Sequence, residues 1–249
     1  MAPRHNVGAP RSYWWASRSH RYSLLFALPL LVFYELLAAT LSYASGGVRN
    51  GADVLIKTVF IAIAGPYGPL LFGAVVLAGS IWLIRRDIRA NGRDLSPRTF
   101  VGMALESLAL ALVFGTVVGT LTARLLAPFA IVNDGPLQSM GWATQLMVSL
   151  GAGIYEELLF RVVLVSALAF VGQRLLKLRT VPAGVFAVVV GAFIFSAFHY
   201  IGPYGDPLEL GSFVFRMIGG LVFSAMFLLR GFGITAWTHA LYDVLLLVF

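Results

Sequence analysis

The chain contains no cysteine, which excludes disulfides, thiol nucleophiles, iron–sulfur clusters and lipid attachment to a cysteine side chain. Charge is scarce as well. Only 12% of the 249 residues are Asp, Glu, Lys or Arg, against about 25% in soluble domains. With 59% hydrophobic residues, the sequence describes an integral membrane protein whose length bounds the number of spans: at roughly 20 residues per helix plus loops, six to eight helices fit. No separate water-soluble domain can be accommodated beside them. Acids are fewer than bases, 11 against 18, for a net charge of +7. The basic excess lies at the ends of apolar segments, where it anchors and orients helices in a bilayer, so it reads as topology and not as a nucleic-acid surface. No internal repeat or low-complexity tract is present.

Taken in order, residues 1–22 form a basic tail with Arg4, Arg11, Arg18, Arg21 and the pair Trp14-Trp15, suited to a cytoplasmic segment ending in the aromatic belt. A first, uncleaved span is expected from about Ser23 to Tyr43, with Pro29 near its start and Glu35 within it as an interhelical hydrogen-bonding acid. The segment holding Arg49, Asp53 and Lys57, followed by Val59 to Ala64, is too short and too charged to cross securely and reads as an interfacial or re-entrant helix. Further spans are expected at about Leu70 to Ile84, Thr99 to Leu121, Leu146 to Val171, Val181 to Tyr200, Gly211 to Leu229 and Gly233 to Phe249. The fold class is therefore all-α, a polytopic transmembrane bundle of about seven spans forming one domain over residues 23–249. Lysine and arginine place the loops around Arg85 to Arg98 and Arg174 to Arg179 in the cytoplasm. The outer loop from Val132 to Trp142, with Asn133-Asp134-Gly135-Pro136, carries almost no charge. A multi-pass cell-membrane protein with its N-terminus inside follows.

Against this apolar background the run Gly151-Ala152-Gly153-Ile154-Tyr155-Glu156-Glu157-Leu158-Leu159-Phe160-Arg161 stands out. A charge at the centre of a bilayer helix costs roughly 2.5–3.5 kcal/mol even on the lenient insertion scale, so these residues must face a bundle interior or wet cavity. On an α-helix Glu157 and Arg161 are spaced for an ion pair, whereas Glu156 lies about 100° further round and needs a partner from elsewhere. Other helices offer His199, His239 and Asp243, the last two sharing a helical face so that the acid can orient the ring or complete a polar pocket.

This set supports chemistry on a peptide bond. A carboxylate in a dry pocket can take a proton from water, a neighbouring imidazole can share that water, and a second imidazole can donate to the developing oxyanion. No serine lies in a GxSxG context and no HExxH helix is present, which leaves carboxylate-activated water as the simplest scheme. Zinc-dependent hydrolysis is a second reading, since histidines and carboxylates suit that metal. A third is non-enzymatic, a proton-coupled transporter or bacteriocin-immunity protein whose polar residues relay protons or hold helices together.

The order Glu-Glu-x-x-x-Arg (Glu156, Glu157, Arg161), Phe-x-x-x-His (Phe195, His199) and His-x-x-x-Asp (His239, Asp243) resembles the three motifs of the CPBP family, the CAAX-protease and bacteriocin-processing group, over about residues 145–249. The resemblance implies an intramembrane glutamic endopeptidase with no metal and no cofactor, acting on a membrane-tethered peptide or protein in the lipid bilayer. It implies Glu156 as general base, His199 as its partner in holding water, His239 with Asp243 at the oxyanion site, and Glu157, Arg161 and Phe195 as supporting residues. The third motif often ends in asparagine. Here it ends in Asp243, which either is protonated to donate or instead fixes His239.

Overall fold

The computed structural model describes residues 12–42, 47–126, 140–202 and 205–248. Arg4 and Arg11 of the basic tail, and the outer-loop residues Asn133 to Pro136, lie outside the described residues. The described residues contain helices and connecting turns but no strand. In chain order the helices are α1 (Tyr13–Arg18), α2 (His20–Leu41), α3 (Gly51–Ala64), α4 (Gly68–Asn91), α5 (Pro97–Leu126), α6 (Trp142–Gly151), a π-helical continuation (Ala152–Val165), α7 (Ser166–Arg174), α8 (Thr180–Phe198), α9 (Leu210–Arg230) and α10 (Phe232–Val248).

Among the described residues five stretches are long and apolar enough to cross a membrane: α2, Gly51–Asn91, α5, α8 and α9. The unbroken helical run from Trp142 to Arg174 and the shorter apolar α10 are further helices in the positions of the two remaining spans expected. Large apolar side chains such as Phe33, Leu36, Ile63, Leu70, Leu105, Phe170 and Val181 are exposed on the outside of the bundle, as a lipid-facing surface requires. This is a multi-pass membrane protein. Charges that the sequence puts inside the apolar segments turn inward and find partners.

The charged segment before the second span is the helix α3. At 14 residues it is about 21 Å long, too short to cross a hydrocarbon core of about 30 Å. The chain reverses after it, because Phe60 and Phe72 bring their rings to 5.4 Å where a continuous helix would separate them by about 18 Å. Gly65 makes the reversal, at φ 56°, a conformation that side chains with a Cβ disfavour.

One end of the bundle gathers the basic residues. Arg21 pairs with Asp87 at 3.3 Å and donates to the Gly92 carbonyl, joining the start of α2 to the end of α4. Arg230, at the end of α9, binds Glu106 of α5 with 2.5 and 2.7 Å bonds and lies 3.8 Å over the Trp14 ring. Tyr13 donates to the same Glu106. The described part of the basic tail is thus a helix clamped on the bundle, because its aromatic rings cover a cation that is nine-tenths buried. The starts of α2, α5 and α10 and the ends of α4 and α9 share this end, and the expectation of a cytoplasmic face applies to it. Reporters fused after Asn91 and after Leu176 are therefore expected to read cytoplasmic and one after Asp206 external; a cytoplasmic signal at Asp206 would break the alternation.

Candidate active site

Gly153 sets the depth at which the run after α6 meets α10. A Cβ there would sit 2.4 Å from the Ala236 carbonyl oxygen and 2.6 Å from the Ala240 side chain, so only glycine lets the two backbones close. Ala236 and Ala240 are fully buried at this contact. The close approach carries Glu156 and Glu157 into the bundle and against His239.

The segment carrying both acids is π-helical from Ala152 to Val165, not the α-helix assumed from the sequence. Hydrogen bonds from residue i to i+5 widen the turn, and such segments recur at functional sites. Successive residues are consequently less than 100° apart, and the adjacent carboxylates each reach a histidine on a different helix. Glu156 Oε2 faces His199 Nε2 at 3.8 Å. Glu157 Oε1 accepts a hydrogen bond from His239 Nδ1 at 2.7 Å and lies 3.2 Å from an Arg161 guanidinium nitrogen.

His199 caps the end of α8, and its Nδ1 donates to the Phe195 carbonyl at 2.9 Å. That bond assigns the neutral tautomer and leaves Nε2 as an acceptor toward Glu156. The Phe195 ring stands edge-on to His199, 4.8 Å between centroids, and takes the Arg161 guanidinium on its face at 4.3 Å. His239 is held from a third side, stacked on Phe223 at 4.3 Å and 23°. Asp243 Oδ2 is 3.8 Å from His239 Nε2. The structure therefore brings together every residue expected of the site: Glu156, Glu157, Arg161, Phe195, His199, His239 and Asp243.

It distributes their contacts differently from the sequence reading. The i,i+4 pair Glu157–Arg161 is present, but the closest partner of Glu157 is His239, on a helix 82 positions later. Asp243, expected to fix the His239 ring, stands too far for a direct hydrogen bond, and Glu157 holds the ring by its other nitrogen. Exposure is graded across the cluster. The Glu157 and Arg161 side chains are 0% and 1% exposed, while those of His199 and Asp243 reach 24% and 27%, so the cluster is most open on the His199 and Asp243 side. His199 and Glu156 meet even though one ends its helix and the other lies deep in the run from Trp142. That run is roughly 50 Å long, more than the hydrocarbon core needs, so its first turns extend past the level of His199.

Residues 138–245 match the family model described as type II CAAX prenyl endopeptidase Rce1-like. The match spans less than half of the chain and supports a place in the CAAX-protease family. At family level that likeness supports a CAAX-type intramembrane endopeptidase with a membrane-associated protein as substrate. No curated protein sequence and no solved structure matches the chain. The family match encloses all seven residues above, and the cluster is completed by side chains outside it. Asn50, at the start of α3, donates from Nδ2 to Glu156 Oε1 at 2.8 Å, and Tyr155 donates to Glu35 of α2. Sequence reading left Asn50 aside, since an asparagine after a glycine-rich turn signals only a helix start. It left Phe223 aside as one apolar residue among many. Among the described residues no three His, Asp or Glu side chains converge with the spacing of a metal site.

Proposed function

We propose that the chain hydrolyses a peptide bond of a membrane-tethered protein with water activated by Glu156. The observation that carries this reading is the pairing of Glu156 Oε2 and His199 Nε2 across 3.8 Å, with His199 Nδ1 tied to the Phe195 carbonyl. Both facing atoms are acceptors, too far apart to bond each other and close enough for one water to donate to both. A water bound in this way has both hydrogens taken and turns a lone pair to the peptide carbon.

Attack forms the carbon–oxygen bond while the water proton passes to Glu156. The carbonyl oxygen becomes an oxyanion. A doubly protonated His239 donates Nδ1–H to Glu157 and Nε2–H to that oxygen, its charge balanced by the carboxylates around it. Glu156 then returns its proton to the amide nitrogen as the carbon–nitrogen bond breaks, releasing an amine and a carboxylic acid, which loses its remaining proton to the amine or to solvent. The stack on Phe223 keeps the imidazole in one plane throughout.

In this scheme Glu157, and not Asp243, orients His239. Asp243→Asn is therefore expected to keep turnover within about tenfold of the native protein, because the amide supplies a donor beside the oxyanion and the ring keeps its charged partner. A loss beyond 100-fold would return the orienting role to the Asp243 carboxylate. The reading as a whole is tested by comparing the peptides of cells carrying the native chain and its Glu156→Gln variant. Termini that vanish with the variant identify the substrate, and two indistinguishable peptide sets would remove the protease reading.

A further inference from the structure

Asn50 lies outside the family match and before α3, yet it makes the one direct side-chain hydrogen bond that Glu156 receives among the described residues. We propose that Asn50 is a positioning residue that locks the Glu156 carboxylate so that Oε2 is presented to water and His199. The proposal rests on the reading of Glu156 as general base and adds a residue to it from the N-terminal helices.

Both ends of the amide are engaged. Oδ1 accepts from the Ala52 backbone N–H at 2.9 Å, capping α3, and Nδ2 donates to Glu156 Oε1 at 2.8 Å. These partners leave one orientation of the amide, since its oxygen cannot face a carboxylate nor its nitrogen a backbone N–H. Asn50 is itself buried. Its backbone N–H donates to the Tyr34 hydroxyl at 3.2 Å, and that hydroxyl donates to Asp53 at 2.7 Å. Behind it Asp53 and Glu35 are each bridged by both Arg49 and Lys57, over 2.5 to 2.9 Å. Tyr155, next to Glu156 in the chain, closes the network by donating to Glu35. Two acids and two bases thus form a charge-balanced block linking α2, α3 and the π-helix, with Asn50 as its contact to the catalytic carboxylate.

A helix cap alone does not account for this arrangement. Capping uses only the side-chain oxygen, and serine, threonine or aspartate serve it about as well. An amide N–H is needed only by Glu156. A charge-assisted bond on Oε1 holds the carboxylate plane, and without it the group is free to turn Oε2 away from His199.

Serine separates the two roles, because its hydroxyl can cap α3 but is too short to reach Glu156. Purified Asn50→Ser in lipid nanodiscs, assayed on a peptide spanning the cleavage site found in the comparison above, is expected to unfold at the native temperature. Its kcat should fall about 10- to 100-fold with KM within threefold. Asn50→Ala should show the same kcat and a lower unfolding temperature. Native kcat in Asn50→Ser would show that the residue only caps the helix, and a loss confined to KM would move it to substrate binding; either overturns the proposal. Should Asn50→Ser fold poorly, Asn50→Asp keeps both cap and size while setting a second acid against Glu156, and native kcat there overturns the proposal equally. Cleavage that survives Glu156→Gln would instead overturn the underlying reading, whatever the Asn50 variants do.

Discussion

Replacing Glu156 with glutamine is expected to lower kcat by about 10²- to 10⁴-fold, the usual contribution of a general acid–base group, while the protein stays folded. Glutamine keeps the shape of the side chain, and its amide oxygen can still accept the Asn50 bond. It cannot take a proton from water. It also cannot return one to the leaving amine, so both halves of the reaction lose their catalyst. Substrate binding should change little, because in this scheme Glu156 acts on the water and the leaving amine and not on the rest of the substrate. Turnover and KM of the purified variant in nanodiscs, beside its thermal unfolding, check each part. Native turnover would remove Glu156 from the chemistry. The native protein in the same nanodiscs, dialysed against a chelator, should keep full activity if the carboxylate, and not zinc, activates the water.

Glu157→Gln is expected to do the reverse, costing more in stability and less in turnover. Glu157 is fully buried between Arg161 and His239, and removing one partner of a buried pair typically costs about 3–5 kcal/mol because the other charge is left uncompensated. The Arg161 guanidinium would then rely on the faces of Phe195 and Phe223, at 4.3 and 5.5 Å. Turnover should fall as well, by about 10- to 100-fold, since an amide oxygen holds the His239 ring less firmly than a carboxylate. A second substitution separates the two effects. Arg161→Met in the Glu157→Gln background removes the stranded charge and should recover much of the unfolding temperature, because apolar replacement of a buried ion pair is often neutral. It should recover no activity, because nothing restores the partner of His239. Joint recovery of stability and turnover would show that Glu157 acts on the reaction only by keeping the bundle folded.

Much of the fold was legible from particular residues. The apolar runs ending in Arg174 and Arg230 mark helix ends, because an arginine at a membrane boundary is cheap and one in the core is not, whereas α4 continues past Arg85-Arg86 to Asn91. Glu35 was expected to bond between helices, and it does, to Arg49, Lys57 and Tyr155. The seven candidate residues lie together for the same energetic reason. An acid or histidine in hydrocarbon must have a partner, so the few that occur there converge.

What the sequence determined by itself was the inventory: helical spans, their alternation, and the polar residues that had to meet inside them. Only the tertiary structure decided who meets whom. Glu156 and Glu157 are adjacent, and no pattern along the chain says which of them takes His199 and which His239. That choice is made by the π-helical widening after Gly151 and by the close contact of Gly153 with Ala236, both consequences of packing between segments more than 80 residues apart in sequence. Asn50 was hidden for a related reason. Periodicity and spacing report what a residue does within its own helix, where Asn50 is a cap, whereas its bond to Glu156 spans 106 positions and exists only once α3 has folded back against the π-helix.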